Sequence, residues 1–212
     1  LAFKTGNPDR PVNAIPPSAI AEVKMGTTVA TNALLERKGE PVLLLVTKGF
    51  ADLLAMGHLA RPALFDLAVT LPGPLHAAVE EVGGRVGADG TVLSELDEVA
   101  VRAALRCRRA EGFAACAVAL IHGWRYPEME ARIAEIAREE GFAQVSASHR
   151  VSPSLGLVAR GRTAVVDAYL SPVLRRYVAQ VEAELGGAPL FFLRSDGGLA
   201  TAADFCGRDA IL

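Results

Sequence analysis

Six consecutive residues, Pro41 to Val46, hold Val and Leu without a polar interruption, and Thr47-Lys48-Gly49 ends the run. A strand with one wet face alternates apolar and polar residues, so an unbroken run reads as a strand buried on both faces. That is the position of a strand in a parallel sheet covered by helices. The surrounding pattern agrees. Ile20 to Met25 reads as a strand, Gly26-Thr27-Thr28 interrupts it, and Val29 to Lys38 has helical spacing with Gly39 as its C-cap. A second strand, helix, strand unit follows. Phe113 to Ile121 is another apolar strand, and Pro127 stands at the first position of a helix. Met129, Ile133, Ile136 and Ala137 line one face of that helix up to Glu140, and Ala143 to Ala147 returns as a strand. The expected fold class is α/β, a parallel or mixed sheet with flanking helices.

Between and beyond these units the expectations are local. Residues 1–19, with Pro8, Pro11, Pro16 and Pro17, form an extended entry segment. Phe50 to Met56 reads as a short helix. Val79 to Val86 and Thr91 to Leu93 flank a hairpin turn at Asp89-Gly90. Ser94 with Asp97 makes a capping-box-like start for a helix over Leu96 to Ala110, which Gly112 closes. Thr163 to Leu185 is a long amphipathic helix with a kink expected at Ser171-Pro172. Pro189 to Arg194 is a last strand, after which Ser195-Asp196-Gly197-Gly198 is expected to turn into a short helix.

Composition excludes several function classes. Hydrophobic residues make up 51% and charged residues 22%, which is the balance of a folded globular chain and not of a disordered one. The net charge is -2 without a block of like charge, so nucleic acid is not an expected partner. No apolar stretch approaches the ~20 residues that span a bilayer, so no membrane partner is expected. Cys107, Cys116 and Cys206 fit neither a redox pair nor a zinc knuckle and read as reduced thiols of a cytoplasmic protein. His58, His76, His122 and His149 form no local metal motif, which leaves any metal unknown. Neither a Walker loop nor a dinucleotide fingerprint is present. Gly83, Gly84, Gly87 and Gly90 belong to the hairpin instead.

Chemistry is expected where strands end in small or polar residues, because ligands of parallel sheets bind at the carboxyl ends of strands. Four such places are Gly26-Thr27-Thr28, Thr47-Lys48-Gly49, His122-Gly123-Trp124-Arg125 and Ser195-Asp196-Gly197-Gly198. The Gly26 and Gly197 loops suit a carboxylate, an amide oxygen or a phosphate. The competing reading makes Thr28 an N-cap and the glycine pair a turn. Ser195 stands where a nucleophile could, or where a helix is capped. His149, beside Ser148 and Arg150, is an acid, a base or a structural histidine, and Asp196 and Asp167 are candidate carboxylates for water activation.

The stretch Met25-Gly-Thr-Thr-Val-Ala-Thr-Asn-Ala-Leu-Leu-Glu-Arg-Lys-Gly39 resembles the hydantoinase/oxoprolinase family, in its A-type polypeptide. The resemblance continues through Thr47 to Asp52, Arg61-Pro62, the strand to His122 with Pro127 and Glu130, Ser146 to His149, Arg160 with Thr163, Ala168 to Pro172, and Ser195 to Gly198. It implies a region at 1–150 of the N-terminal type and the start of the core domain at 151–212. It also implies an actin and Hsp70-like (ribonuclease H-like) ATPase architecture. The implied activity is ATP-dependent ring opening of a cyclic amide such as 5-oxoproline or a hydantoin, with Mg2+ accompanying the nucleotide. Related members act in ATP-dependent ketone carboxylases, and a non-catalytic actin-like ligand-binding module is a further alternative. A B-type subunit or C-terminal half is the implied partner, with a homo-oligomer left open.

The same resemblance assigns Thr27, Thr28, Ser195 and Asp196 to catalysis. It assigns Gly26, Asn32, Arg61, His149, Arg160, Gly197 and Gly198 to substrate or phosphate. Met25 stands where the family pattern has His, and it cannot titrate or donate a hydrogen bond. The family's phosphate loops are expected before residue 1 and after Leu212. The chain then reads as a fragment that does not hydrolyse ATP alone.

Overall fold

The computed structural model describes residues 20–57 and 73–210. Along the chain run β1 (Val23–Met25), α1 (Val29–Leu35), β2 (Val42–Thr47), α2 (Leu53–Met56), β3 (His76–Val82), β4 (Arg85–Val86), β5 (Val92–Ser94) and α3 (Glu98–Ala110). There follow β6 (Ala115–Ala119), α4 (Glu128–Glu139), β7 (Gln144–Ala147), α5 (Ser148–Val151), α6 (Leu157–Leu185), β8 (Leu190–Leu193) and β9 (Leu199–Thr201). Two compact units divide these elements. One is Gly39–Tyr169, and the other joins Leu1–Lys38 to Leu170–Leu212.

In the unit Gly39–Tyr169 the apolar run does what its composition requires. All residues of β2 are buried, and β2 lies inside a parallel sheet ordered β3-β2-β6-β7. Leu43 and Leu45 pack in a core with Leu105, Ile133, Ile136 and Phe142, which come from α3, α4 and the turn before β7. At about 25 cal/mol per Å2 of buried apolar surface, each fully buried Leu or Ile contributes roughly 1.5–3 kcal/mol.

Several boundaries differ from the sequence expectation, each for a visible reason. The first arm of the expected hairpin is two strands. β3 starts at His76 and joins the sheet parallel to β2, and Gly84, at φ 93, lets the chain bend before β4 pairs with β5. The pair Ser94 and Asp97 does not form a capping box. Ser94 ends β5, and Asp97 alone caps α3, its carboxylate accepting from Ala100 N at 2.9 Å. Pro127 precedes α4 as its N-cap. The helix expected from Thr163 starts at Leu157 and runs on through Pro172. Gly161 lies inside this helix, where a Cβ would stand 3.1 Å from Leu54 and 3.3 Å from the Ala119 Cβ, so glycine permits a close approach of α6 to α2 and β6.

In the other unit β1 pairs with β8 in parallel and β8 pairs with β9 antiparallel, in the order β1-β8-β9. Phe192 of β8 is fully buried and stacks on Phe205 with ring centroids 4.7 Å apart. The expected helix after Ser195 is absent. Ser195-Asp196-Gly197 is instead the tip of the β8-β9 hairpin: Gly197 N donates to Arg194 O at 3.0 Å and Arg194 N donates to Gly198 O at 2.8 Å. Gly197, at φ 83, supplies the left-handed residue that a three-residue hairpin loop needs. Among the described residues, no helix is long and apolar enough to cross a membrane.

Candidate active site

The parallel pairing of β1 and β8 decides which strand-end loops meet. Met25 is in register with Phe192, so Gly26-Thr27-Thr28 and the Ser195 to Gly198 hairpin leave the same end of one sheet side by side. Both loops are exposed apart from a half-buried Thr27. Gly26 and Gly197 each have open space where a Cβ would stand. The Thr27 hydroxyl accepts from Val29 N at 3.2 Å. Thr28 holds the N-cap position of α1, yet its side chain makes no capping hydrogen bond. Asn32 is exposed on α1. Asp196 is engaged within its turn, accepting from Gly198 N at 2.9 Å and pairing with Arg194 at 2.8 Å. The backbone of Ser195 is anchored by a 2.8 Å bond to Asp209 O.

The unit Gly39–Tyr169 carries the other candidate residues. Its strand order reverses between β2 and β6, where the crevice of an open parallel sheet lies. There the Thr47 hydroxyl accepts from Ile121 N at 3.0 Å. His122, in the turn after β6, takes a left-handed backbone at φ 58, a conformation that costs energy in a residue with a side chain. Beside this turn is a buried polar network. Glu130, Ser148 and Arg160 are wholly buried, while the His149 side chain keeps 13% exposure.

Glu130 is the centre of that network. Its carboxylate accepts from Leu120 N at 3.0 Å, from Ser148 Oγ at 2.8 and 3.0 Å and from His149 N at 2.8 Å. His149 Nδ1 lies 2.9 Å from Glu130 Oε1. Arg160 Nε donates to Ser148 Oγ at 2.7 Å. Its terminal nitrogens donate to Ser154 O at 3.0 Å, Leu155 O at 3.4 Å and Leu120 O. Burial lowers the Arg160 pKa from its ordinary value, and the Glu130 charge opposes that shift. A buried cation is tolerable only when paired and hydrogen-bonded, and this guanidinium makes four hydrogen bonds to the protein.

Sequence reasoning therefore reached two separate groups. Gly26, Thr27, Thr28 and Asn32 stand with Ser195, Asp196, Gly197 and Gly198, and His149 stands with Arg160. Arg61 lies outside the described residues. Asp167 is buried in the α6 part of the sheet unit, where Ser146 Oγ donates to it at 2.7 Å. The residue that sequence reasoning left without a role is Glu130. Its available signal was the resemblance, because a Glu in the first turn of a helix ordinarily reads as a solvated group favoured by the dipole. Among the described residues, no group of three or more His, Cys, Asp or Glu side chains is arranged to hold a metal ion.

The hydantoinase/oxoprolinase N-terminal region matches residues 7–141. The chain belongs to the hydantoinase/oxoprolinase family. A second family region, hydantoinase/oxoprolinase, matches residues 160–212. This family member is 40% identical to 5-oxoprolinase 1 of Arabidopsis thaliana over 98% of its own length and 18% of that relative's. It is 38% identical to the alpha subunit of the caprolactamase of Pseudomonas jessenii, over 82% of this chain and 26% of that one. The crystal structure of the ATP-dependent caprolactamase from Pseudomonas jessenii superposes with a TM-score of 0.79 at 34% identity, covering 90% of this chain and 29% of that one. The chain thus spans less than a third of these relatives.

Proposed function

We propose that this chain is part of an ATP-dependent hydrolase that opens cyclic amides such as 5-oxoproline or a hydantoin, as the A-type polypeptide or A-type half of a longer protein. The observation that carries the reading is the meeting of the Gly26-Thr27-Thr28 loop with the Ser195 to Gly198 hairpin at one end of paired parallel strands. Open space beside Gly26 and Gly197, and a Thr28 hydroxyl not spent on its helix, suit a phosphate or an amide oxygen. Thr27, Thr28 and Asn32 then position substrate or phosphate, and Ser195, Asp196, Gly197 and Gly198 line the facing side. Within the unit Gly39–Tyr169, taken by itself, Arg61 and His149 are the proposed substrate contacts, and Arg160, with most of its donors engaged, is a positioning residue. Activation of the ring proceeds by phosphoryl transfer to the amide oxygen, which makes the carbonyl carbon electrophilic to water.

The nucleotide's remaining contacts, and the Mg2+ that accompanies its phosphates, belong in this reading to the rest of the longer protein. The same holds for a B-type subunit or C-terminal half, which the naming of the caprolactamase relative as an alpha subunit supports. We further propose regions 1–150 and 151–212 as the two family segments and the cytoplasm as the compartment.

The test uses the full-length protein with its partner, measuring ATP turnover against 5-oxoproline, hydantoins, lactams, and ketones with bicarbonate. Turnover stimulated by cyclic amides is expected. Stimulation by ketones and bicarbonate alone would assign carboxylation instead. Thr28→Ala should lower stimulated turnover at least about tenfold, the loss of roughly 1.4 kcal/mol of transition-state stabilisation. Full turnover in both Thr27→Ala and Thr28→Ala would reduce the loop to the start of a helix.

A further inference from the structure

The hydrogen bonds around Glu130 have determined directions. Arg160 has no acceptor, so its Nε–H donates to Ser148 Oγ at 2.7 Å, and the Ser148 hydrogen is left for Glu130. The backbone N–H groups of Leu120 and His149 also point at the carboxylate. Each of these neighbours donates, so Glu130 serves as an acceptor, and the remaining contact, His149 Nδ1 at 2.9 Å, carries its hydrogen toward Oε1. In a neutral imidazole that assignment leaves the lone pair on Nε2. Among the described residues Nε2 has no hydrogen-bond partner, and the ring keeps a narrow exposure of 13%. It sits just beyond β7, at the carboxyl end of the parallel sheet.

A nitrogen held in this way is suited to a donor and not to an oxyanion. Cyclic amides of the class proposed above share one donor next to the reacting carbonyl, the ring N–H. We infer that His149 Nε2, held as a proton acceptor by the Glu130 carboxylate, takes the ring N–H proton of the cyclic amide. The inference rests on the functional reading above.

The step balances. The ring N–H bond breaks and its proton forms an N–H bond at Nε2. The electron pair left on the ring nitrogen forms a C=N bond, and the carbonyl oxygen forms its bond to the terminal phosphorus of a nucleoside triphosphate. The bond between that phosphorus and the bridging oxygen breaks, releasing the diphosphate. The imidazolium that results lies against Glu130, which balances its charge. Glu130 is a positioning residue, with Ser148 and Arg160 holding it in place.

Two measurements on the full-length protein with its partner test this. Solid-state 15N spectra of histidine-labelled protein, with His149→Gln to assign the signal, are expected to show His149 with a protonated Nδ1 and a bare Nε2. Glu130→Gln is expected to remove that preference. Kinetically, His149→Gln should lower kcat by about 10^2 to 10^4, the usual range for general acid–base catalysis, with KM changed only a few-fold. The wild-type enzyme should turn over a lactam with a free N–H and not its N-methyl counterpart.

A protonated Nε2 in an active wild-type enzyme would overturn the inference alone. So would near-wild-type turnover by His149→Gln, or equal turnover of the N-methyl lactam. Absence of turnover with every cyclic amide would overturn the functional reading and with it the substrate named here. If Glu130→Gln does not fold, the wild-type spectrum decides.

Discussion

Gly123→Ala isolates the packing that holds the Glu130 network. A Cβ at Gly123 would press on Glu130 Oε2, well inside contact distance, and would lie 3.2 Å from Leu120 O. The carboxylate cannot retreat freely, because Leu120 N, Ser148 Oγ and His149 N all hold it. Two costs follow. Overpacking a filled site costs about 1–3 kcal/mol, and displacing one charge-assisted hydrogen bond costs about 1.5–3 kcal/mol. Partial relaxation brings the expected loss to about 3 kcal/mol. With a urea m-value of about 2 kcal/mol/M, the unfolding midpoint falls by about 1.5 M. Trp124, the single tryptophan of the chain, adjoins the substituted residue and reports unfolding by fluorescence. Gly26→Ala is the control, since a Cβ there meets nothing within 4 Å, and its midpoint should match the parent. A Gly123→Ala midpoint within error of the parent would refute the claim that Glu130 is held rigidly.

Two further outcomes concern titration. Burial pushes the Cys116 thiol up to about 12, so at pH 8 iodoacetamide should modify the exposed Cys107 and leave Cys116 untouched until urea unfolds the sheet, as mass spectrometry of peptides will read. Burial lowers the His76 pKa below 6.5, so the unfolded chain binds the proton more readily than the folded one. Stability from this group is therefore fully present above about pH 6.5 and is lost as pH falls through the lower folded value. Denaturant midpoints at pH 7.5 and 5.5 should differ less in His76→Gln than in the parent, and an unchanged difference would exclude His76 as the source.

Much of the architecture was legible because it is written in local periodicity. The buried run at β2, the apolar run around β6 and the one-sided helix at α4 follow from which residues avoid water, and neighbours in sequence are enough to show it. Elements failed to be legible where a distant partner decides. The helix expected from Thr163 begins at Leu157, and Gly161 lies inside it, where Leu54 and Ala119 stand so close that glycine is what fits. Ser195 to Gly198 read as a turn into a helix, yet Leu199 to Thr201 pairs back onto β8 and makes it a hairpin.

The candidate site divides in the same way. From residue types and spacing came the strand-end loops, with Thr27, Thr28, Gly197 and His149 at positions where ligands of parallel sheets bind. Pairing across the chain decided which loops meet, since β1 and β8 are brought together from opposite ends of the sequence. Burial decided the roles of Glu130 and Arg160. A carboxylate or guanidinium removed from water must find donors or acceptors, and Leu120, Ser148, Ser154 and His149 supply them from segments that no local pattern connects. Sequence by itself determined what must be buried and pointed to the strand ends proposed for a ligand. Tertiary structure alone determined which polar groups share that burial, because a hydrogen bond depends on distances that only the folded chain sets.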